Sequence, residues 1–302
     1  MSKIYHLYQT DVFTKKRFTG NPAGVITNAD GLSVSQMQQI ARELNNSETA
    51  FVFTEGCRDY DMQVRFFTPT HEVPICGHAT IAAHYTYAME NHWTTDRRNL
   101  QKTGAGILPV DIYRKDSDYL IAMTQGDVQI ASPLSSDCQR MIAQALGLKM
   151  DDLRDDCPMV IASTGHSKVL VGMKNLEQLH ELQPNLAELS RISKVIGCNG
   201  YYTFVLDKEK TPLVHGRMFA PAIGIPEDPV TGNANGPLGA YLVHFGIVDV
   251  KRELFSFEAI QGESIGRAGT MTINVSIIDK RPVSVQILGN AVIVFSADLE
   301  LS

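Results

Sequence analysis

The 302-residue chain predicts an α+β fold of two pseudo-symmetric halves, each a curved, mostly antiparallel sheet around a buried helix. Three observations lead there. One segment is written twice: Arg65-Phe66-Phe67-Thr68-Pro69 continues through Pro74-Ile75-Cys76-Gly77-His78-Ala79 into an apolar stretch ending near Met89. About 152 positions later, Arg217-Met218-Phe219-Ala220-Pro221 leads into Pro229-Val230-Thr231-Gly232-Asn233-Ala234 and a second apolar stretch ending at Phe245. The same spacing carries Met37, Ile40 and Leu44 onto Leu189, Ile192 and Ile196, so the repeat covers an independent helix face as well. Strand signals also outnumber helix signals throughout. A period this long describes a duplicated domain, not a solenoid.

Ile4 to Phe13 reads as the first strand, and Phe18 to Ile26, with Gly20 and Asn21-Pro22, as a turn feeding the second. Ser33 with Gln36 three residues on is a capping box, and Met37, Ile40, Ala41 and Leu44 form one face of the helix it opens, which Asn45-Asn46 ends. Ser47 to Phe53 begins a strand, placing Glu48 at a helix-to-strand junction. Met62 to Phe67 is the next strand, and Thr68 to Cys76 a loop. Ala79 to Met89 contains no Asp, Glu, Lys or Arg, which predicts a helix buried nearly all round. Its first turn at Gly77-His78-Ala79 offers free N–H groups and the positive end of the dipole to an anionic ligand.

Asn91 to Asn99 reads as a polar surface connection, Ile107 to Tyr113 and Tyr119 to Met123 as strands, and Asp151 to Asp156 as an exposed break. Pro158 to Ser163 and Ser167 to Met173 flank Thr164-Gly165-His166, which echoes Thr19-Gly20-Asn21. Thr270 to Ile278, Val283 to Ile287 and Ala291 to Phe295 close the chain as strands. The expected division is residues 1–125 with about 281–302 as one half and 126–280 as the other. Each half is expected to hold one amphipathic and one apolar helix, with a ligand cleft between the halves.

Composition narrows the function. With 44% hydrophobic and 20% charged residues this is an ordinary globular chain. A net charge of −6 without any basic block argues against nucleic acid and anionic membranes as partners. No apolar run approaches the roughly 20 residues of a membrane-spanning helix. Met1 to Phe13 lacks the pattern of a signal peptide, and Cys57, Cys76, Cys138, Cys157 and Cys198 are scattered without CxxC spacing. The expectation is a cytoplasmic protein with reduced thiols. Gly104-Ala105-Gly106 lacks the third glycine of a dinucleotide fingerprint, and no Walker A pattern occurs. His71, Cys76 and His78 have no fourth ligand at convincing spacing, so no metal is expected. His84 and His244, on apolar helices, read as buried core residues.

The halves are informative where they differ. Gly200 stands where the first half has Glu48, Thr231 and Asn233 stand where it has Cys76 and His78, and Asp228 lies in a short insertion that the first half lacks. The candidate polar inventory is therefore one acid from each half plus an imidazole.

Gly20-Asn21-Pro22-Ala23-Gly24-Val25, Ser47-Glu48-Thr49-Ala50-Phe51, Phe67-Thr68-Pro69 with Cys76-Gly77-His78-Ala79-Thr80, and Glu227-Asp228-Pro229-Val230-Thr231-Gly232-Asn233-Ala234 together resemble the phenazine-biosynthesis (PhzF-like) isomerase family. Four ordered motifs cover essentially the whole chain. The resemblance implies the diaminopimelate-epimerase-like fold, a cofactor-free isomerase moving a proton within a small unsaturated or cyclic carboxylic acid, and a homodimer. It implies Glu48 as general acid/base, assisted by His78 and Asp228, with Asn21, Cys76, Gly77, Gly232 and Asn233 contacting substrate. Chemistry agrees: shifting a proton between carbons needs one group that holds a proton and returns it, and oriented N–H groups stabilise a carboxylate on which charge develops.

The match departs from the phenazine enzymes at Asn233, where they carry serine after the second Thr-Gly, which points away from the phenazine intermediate as substrate. Related epimerases use two thiols. Cys76 matches the first, but Thr231 stands at the second. A thiol-dependent racemase is thus the lesser alternative, and a non-catalytic small-acid binding protein on the same fold is the other.

Overall fold

A computed structural model describes residues 3–56 and 58–301, so Cys57 lies outside the described residues. The chain divides into two compact units, Met1–Thr124 with Leu288–Ser302, and Gln125–Ile287.

In the first unit the strand Ala291–Glu300 pairs antiparallel with Ile4–Val12, and that strand with Asn21–Ile26. Asn21–Ile26 runs parallel to Thr49–Phe53, which pairs antiparallel with Met62–Phe67. Met62–Phe67 runs parallel to Arg97–Thr103, and Gly106–Lys115 and Asp118–Thr124 follow antiparallel. The helix Gly77–Glu90 packs against strands from one end of this order to the other. Its run from Ala79 to Met89 carries no charge as a consequence: Ala79 through Thr86 and Ala88 are all buried. The helix Val34–Leu44 covers the outside of the sheet. Ser33 and Gln36 form the capping box, with the Ser33 N–H donating to the Gln36 side chain at 2.9 Å, and Asn45 closes the helix in the left-handed region at φ 51°. Met37, Ile40 and Ala41 pack there with Ile26, Phe51 and Phe67.

The second unit repeats the scheme. Val160–Ser163 pairs antiparallel with Lys168–Met173, which runs parallel to Tyr201–Leu206; Val214–Ala220 is antiparallel to the latter and parallel to Leu254–Gln261, and Gly269–Ile278 follows antiparallel. Even the register is kept: Thr49 opposes Phe67 and Ala50 opposes Phe66 in one unit, Tyr201 opposes Phe219 and Tyr202 opposes Met218 in the other. The helix Gly232–His244 is again buried almost throughout. Among the described residues no helix is long and apolar enough to cross a membrane.

Three readings are corrected. The run expected as a surface connection ends in a strand, Arg97–Thr103, whose inward residues Asn99, Gln101 and Thr103 are polar, so hydrophobicity does not alternate there although burial does. The second unit holds an additional amphipathic helix, Ser136–Leu146, which buries Cys138, Ile142, Ala145 and Leu146 against the outer face of the sheet. His244 is exposed, because it is the last residue of its helix; His84 is buried, as read.

Candidate active site

In the first unit, the strand Thr49–Phe53 and the helix Gly77–Glu90 bring Glu48 and His78 together. Glu48 Oε2 lies 3.5 Å from His78 Nε2, with the side chains 18% and 10% exposed. Ser47 Oγ is 3.3 Å from the same nitrogen, and Cys76 Sγ is 3.5 Å from Nδ1. The imidazole therefore bridges a carboxylate and a thiol, at distances near the outer limit of hydrogen bonding. Such contacts are commonly long before substrate is bound.

The first turn of the helix is pinned from the core. Cys76 is the N-cap but makes no side-chain capping bond, so the first-turn N–H groups are not used up by it. Its carbonyl accepts from Thr80 Oγ1 at 2.7 Å, Thr80 Oγ1 accepts from Gln101 Nε2 at 3.4 Å, and Gln101 Oε1 accepts from His84 Nε2 at 2.8 Å. Burial pulls the His84 pKa down to about 4, so its ring is neutral at neutral pH, donating from Nε2. The chain of bonds fixes the turn that carries Cys76, Gly77 and His78. A Cβ placed on Gly77 would meet nothing within 4 Å, so packing does not demand glycine there. Asn21, buried, opens the strand parallel to the one that follows Glu48, and the two strands are joined by the Gly24 N–H to the Glu48 carbonyl at 3.4 Å.

In the second unit Asp228 and Asn233 are each held by hydrogen bonds, and Gly232, between them in the chain, opens the helix Gly232–His244. Thr231 Oγ1 donates to Asp228 Oδ2, and Gln261 Nε2 donates to the Asp228 carbonyl at 2.8 Å and to Thr231 Oγ1 at 3.0 Å. Asn235 Nδ2 donates to Gln261 Oε1 at 3.2 Å, and the buried Tyr202 hydroxyl donates to Asn235 Oδ1 at 2.6 Å. Asn233 Oδ1 accepts from Gln125 Nε2 at 3.2 Å, while Gln125 Oε1 accepts from Thr164 Oγ1 at 2.7 Å.

Among the described residues two groups of side chains have donor atoms close enough to share a cation: Glu48, Cys76 and His78, and separately His180, His215 and Glu263. His71 joins neither; its ring contacts Thr68 and Thr70. In the second group Glu263 accepts from His215 at 2.8 Å and His180 at 3.2 Å, which holds its carboxyl below the ordinary range despite partial burial. The motif reading gave no role to Ser47, Gln125, Thr164, Lys168 or Gln261. Ser47 sits inside a quoted motif, and Lys168 is a charge opening an otherwise apolar strand; Gln125 and Gln261 carry no local signal and are found only by folding the chain.

The phenazine biosynthesis-like protein family model matches residues 10–297, and the chain belongs to this family. It is 56% identical to an uncharacterized isomerase of Clostridium acetobutylicum over the full length of both chains. It is 30% identical to the trans-2,3-dihydro-3-hydroxyanthranilate isomerase of Pseudomonas chlororaphis, covering 96% of this chain and 97% of that one. The crystal structure of the Bacillus anthracis phenazine biosynthesis protein of the PhzF family superposes with a TM-score of 0.88 at 31% identity, over 99% of this chain and 100% of that one. The α+β fold implied by the motifs is the one observed.

Proposed function

We propose that this protein is a cofactor-independent isomerase that moves a proton within a small unsaturated or cyclic carboxylic acid, with Glu48 carrying the proton. The observation that carries the reading is the Glu48–His78 pair at 3.5 Å, largely buried, at the start of a helix with an uncapped first turn. The Glu48 carboxylate takes a proton from one carbon as that C–H bond breaks. The electron pair becomes a new C=C bond while the existing double bond shifts along the conjugated system. Glu48 then returns the proton to the far carbon, so nothing is oxidised or reduced. His78 holds the carboxyl in place, and N–H groups at Gly77, with Cys76 beside them, bind the substrate's carboxylate as charge builds on it.

Asp228, Gly232, Asn233 and Asn21 complete the proposed set, Asp228 assisting and the others contacting substrate. The Pseudomonas relative, an isomerase of a cyclic dihydro-hydroxy acid, supports the reaction class. Asn233 in place of serine supports a different acid for this chain.

Proton NMR in deuterium oxide tests the reading, with small unsaturated and cyclic acids offered to wild type and to Glu48→Gln, which keeps the shape but relays no proton. Deuterium entering one acid with wild type alone supports it. Equal exchange by both proteins moves suspicion to Cys76 or His78; binding without exchange makes the chain a binding protein.

A further inference from the structure

Lys168 has no part in the reaction as derived, yet its setting is unusual. It opens the strand Lys168–Met173, in which every residue is buried, and is itself only 7% exposed. Its stem fills the space that Gly200 leaves: a Cβ on Gly200 would lie 2.3 Å from Lys168 Cδ and 2.8 Å from Cε. The ammonium donates to two main-chain carbonyls, His166 at 3.4 Å and Ser167 at 3.2 Å, both long. An ammonium has three donors, and burying a cation without an anion is costly. Among the described residues no salt bridge includes it, and Asp228, whose charge it feels, is engaged by Thr231. Burial draws its pKa below the ordinary lysine value, with Cys198 and Asp228 acting in the opposite sense.

The internal repeat gives this lysine a counterpart. The Gly24 N–H donates to the Glu48 carbonyl, and the Val169 N–H donates to the Gly200 carbonyl in the same way. Ala23 therefore corresponds to Lys168, and Glu48 to Gly200. In the first unit the small residue lies on the first strand of the pair and the carboxylate at the head of its neighbour. In the second the small residue heads the neighbour and the cation lies on the first strand. One locus of the duplicated architecture carries the Glu48 carboxyl group in one copy and a buried ammonium in the other.

We propose that Lys168 is a substrate-recognition residue that binds an anionic oxygen of the substrate, a carboxylate. This rests on the reading of the chain as an enzyme of small carboxylic acids and adds the group that selects acid over neutral analogue. An acid entering there supplies the direct ion pair that Lys168 lacks among the described residues, whereas the matching amide does not.

The test follows the Lys168 Cε signal in protein labelled with carbon-13 lysine, assigned by its loss in Lys168→Met or, should that variant not fold, in Lys168→Arg. The probes are 3-hydroxyanthranilate, L-proline and crotonate, each beside its primary amide. At least one acid is expected to shift the signal saturably, its amide to leave it unmoved, and Lys168→Met to weaken binding of that acid at least about tenfold without weakening the amide. The proposal is overturned if no acid moves the signal, if the amide moves it equally, or if the Met variant binds the acid as tightly as wild type. Glu48→Gln keeps the shift. If that variant also keeps deuterium exchange, the role given to Glu48 fails while that of Lys168 stands.

Discussion

Glu48 Oε2 and His78 Nε2 lie 3.5 Å apart, and the imidazole's other nitrogen lies 3.5 Å from Cys76 Sγ. His78 reaches both the acid and the thiol; in the proposed mechanism it orients Glu48, and Cys76 carries no proton. His78→Ala is expected to lower the exchange rate by about 10²-fold. Cys76→Ser is expected to change it less than tenfold. The rates of deuterium incorporation for the two variants check the ranking, and the reverse order would favour thiol chemistry.

Gly77 offers a separate test of the helix terminus. Because a Cβ there meets no protein atom within 4 Å, Gly77→Ala is expected to leave thermal stability unchanged or slightly raised, alanine being the better helix former by about 1 kcal/mol. In the proposed binding mode the added methyl stands in the open space through which a carboxylate approaches the N–H groups. KM for the acid is expected to rise about tenfold or more, and a KM equal to wild type would remove this turn from the binding site.

His84 predicts how the fold responds to acid. Its pKa is about 4 in the folded protein against 6.5 when unfolded. A base with a lowered folded value takes its proton first in the unfolded state, so stability falls as pH drops from about 6.5 towards 4. The loss from this residue is about 2 kcal/mol by pH 5. Urea unfolding at pH 7 and pH 5 checks it, because His84→Gln is expected to show a smaller drop by about that amount. The depressed Glu263 carboxyl acts in the same direction at lower pH, its contribution being lost as pH falls through its range.

Gly216 tests the packing under the second network. A Cβ there would sit 2.0 Å from the Tyr202 hydroxyl oxygen, and Tyr202 is fully buried with its hydroxyl bound to Asn235. Gly216→Ala is expected to destabilise by about 1–3 kcal/mol or more, read as a lowered unfolding midpoint. A neutral effect would mean that the ring can move.

Much of this architecture was legible because duplication writes the same physics twice. The capping box at Ser33, the uncharged run from Ala79 to Met89 and the shared register at Phe67 and Phe219 are local or repeated patterns. What escaped has a physical cause in each case. Arg97–Thr103 turns polar residues inward because Gln101 serves His84, so its alternation is one of burial and not of hydrophobicity. Ser136–Leu146 had the right spacing in Cys138, Ile142 and Leu146 but no counterpart in the first half to draw attention to it. Lys168 was hidden because its significance depends on Gly200, a residue far along the chain whose missing side chain makes its room.

The central claim is that Glu48 carries one proton between two carbons of the same molecule. The most direct measurement uses the acid found by the exchange screen, labelled with deuterium at the donor carbon and turned over in ordinary water. The account predicts that part of the deuterium appears at the acceptor carbon, and that Glu48→Gln, folded as stably as wild type, loses turnover by about 10³-fold or more. Turnover by Glu48→Gln at the wild-type rate would contradict it.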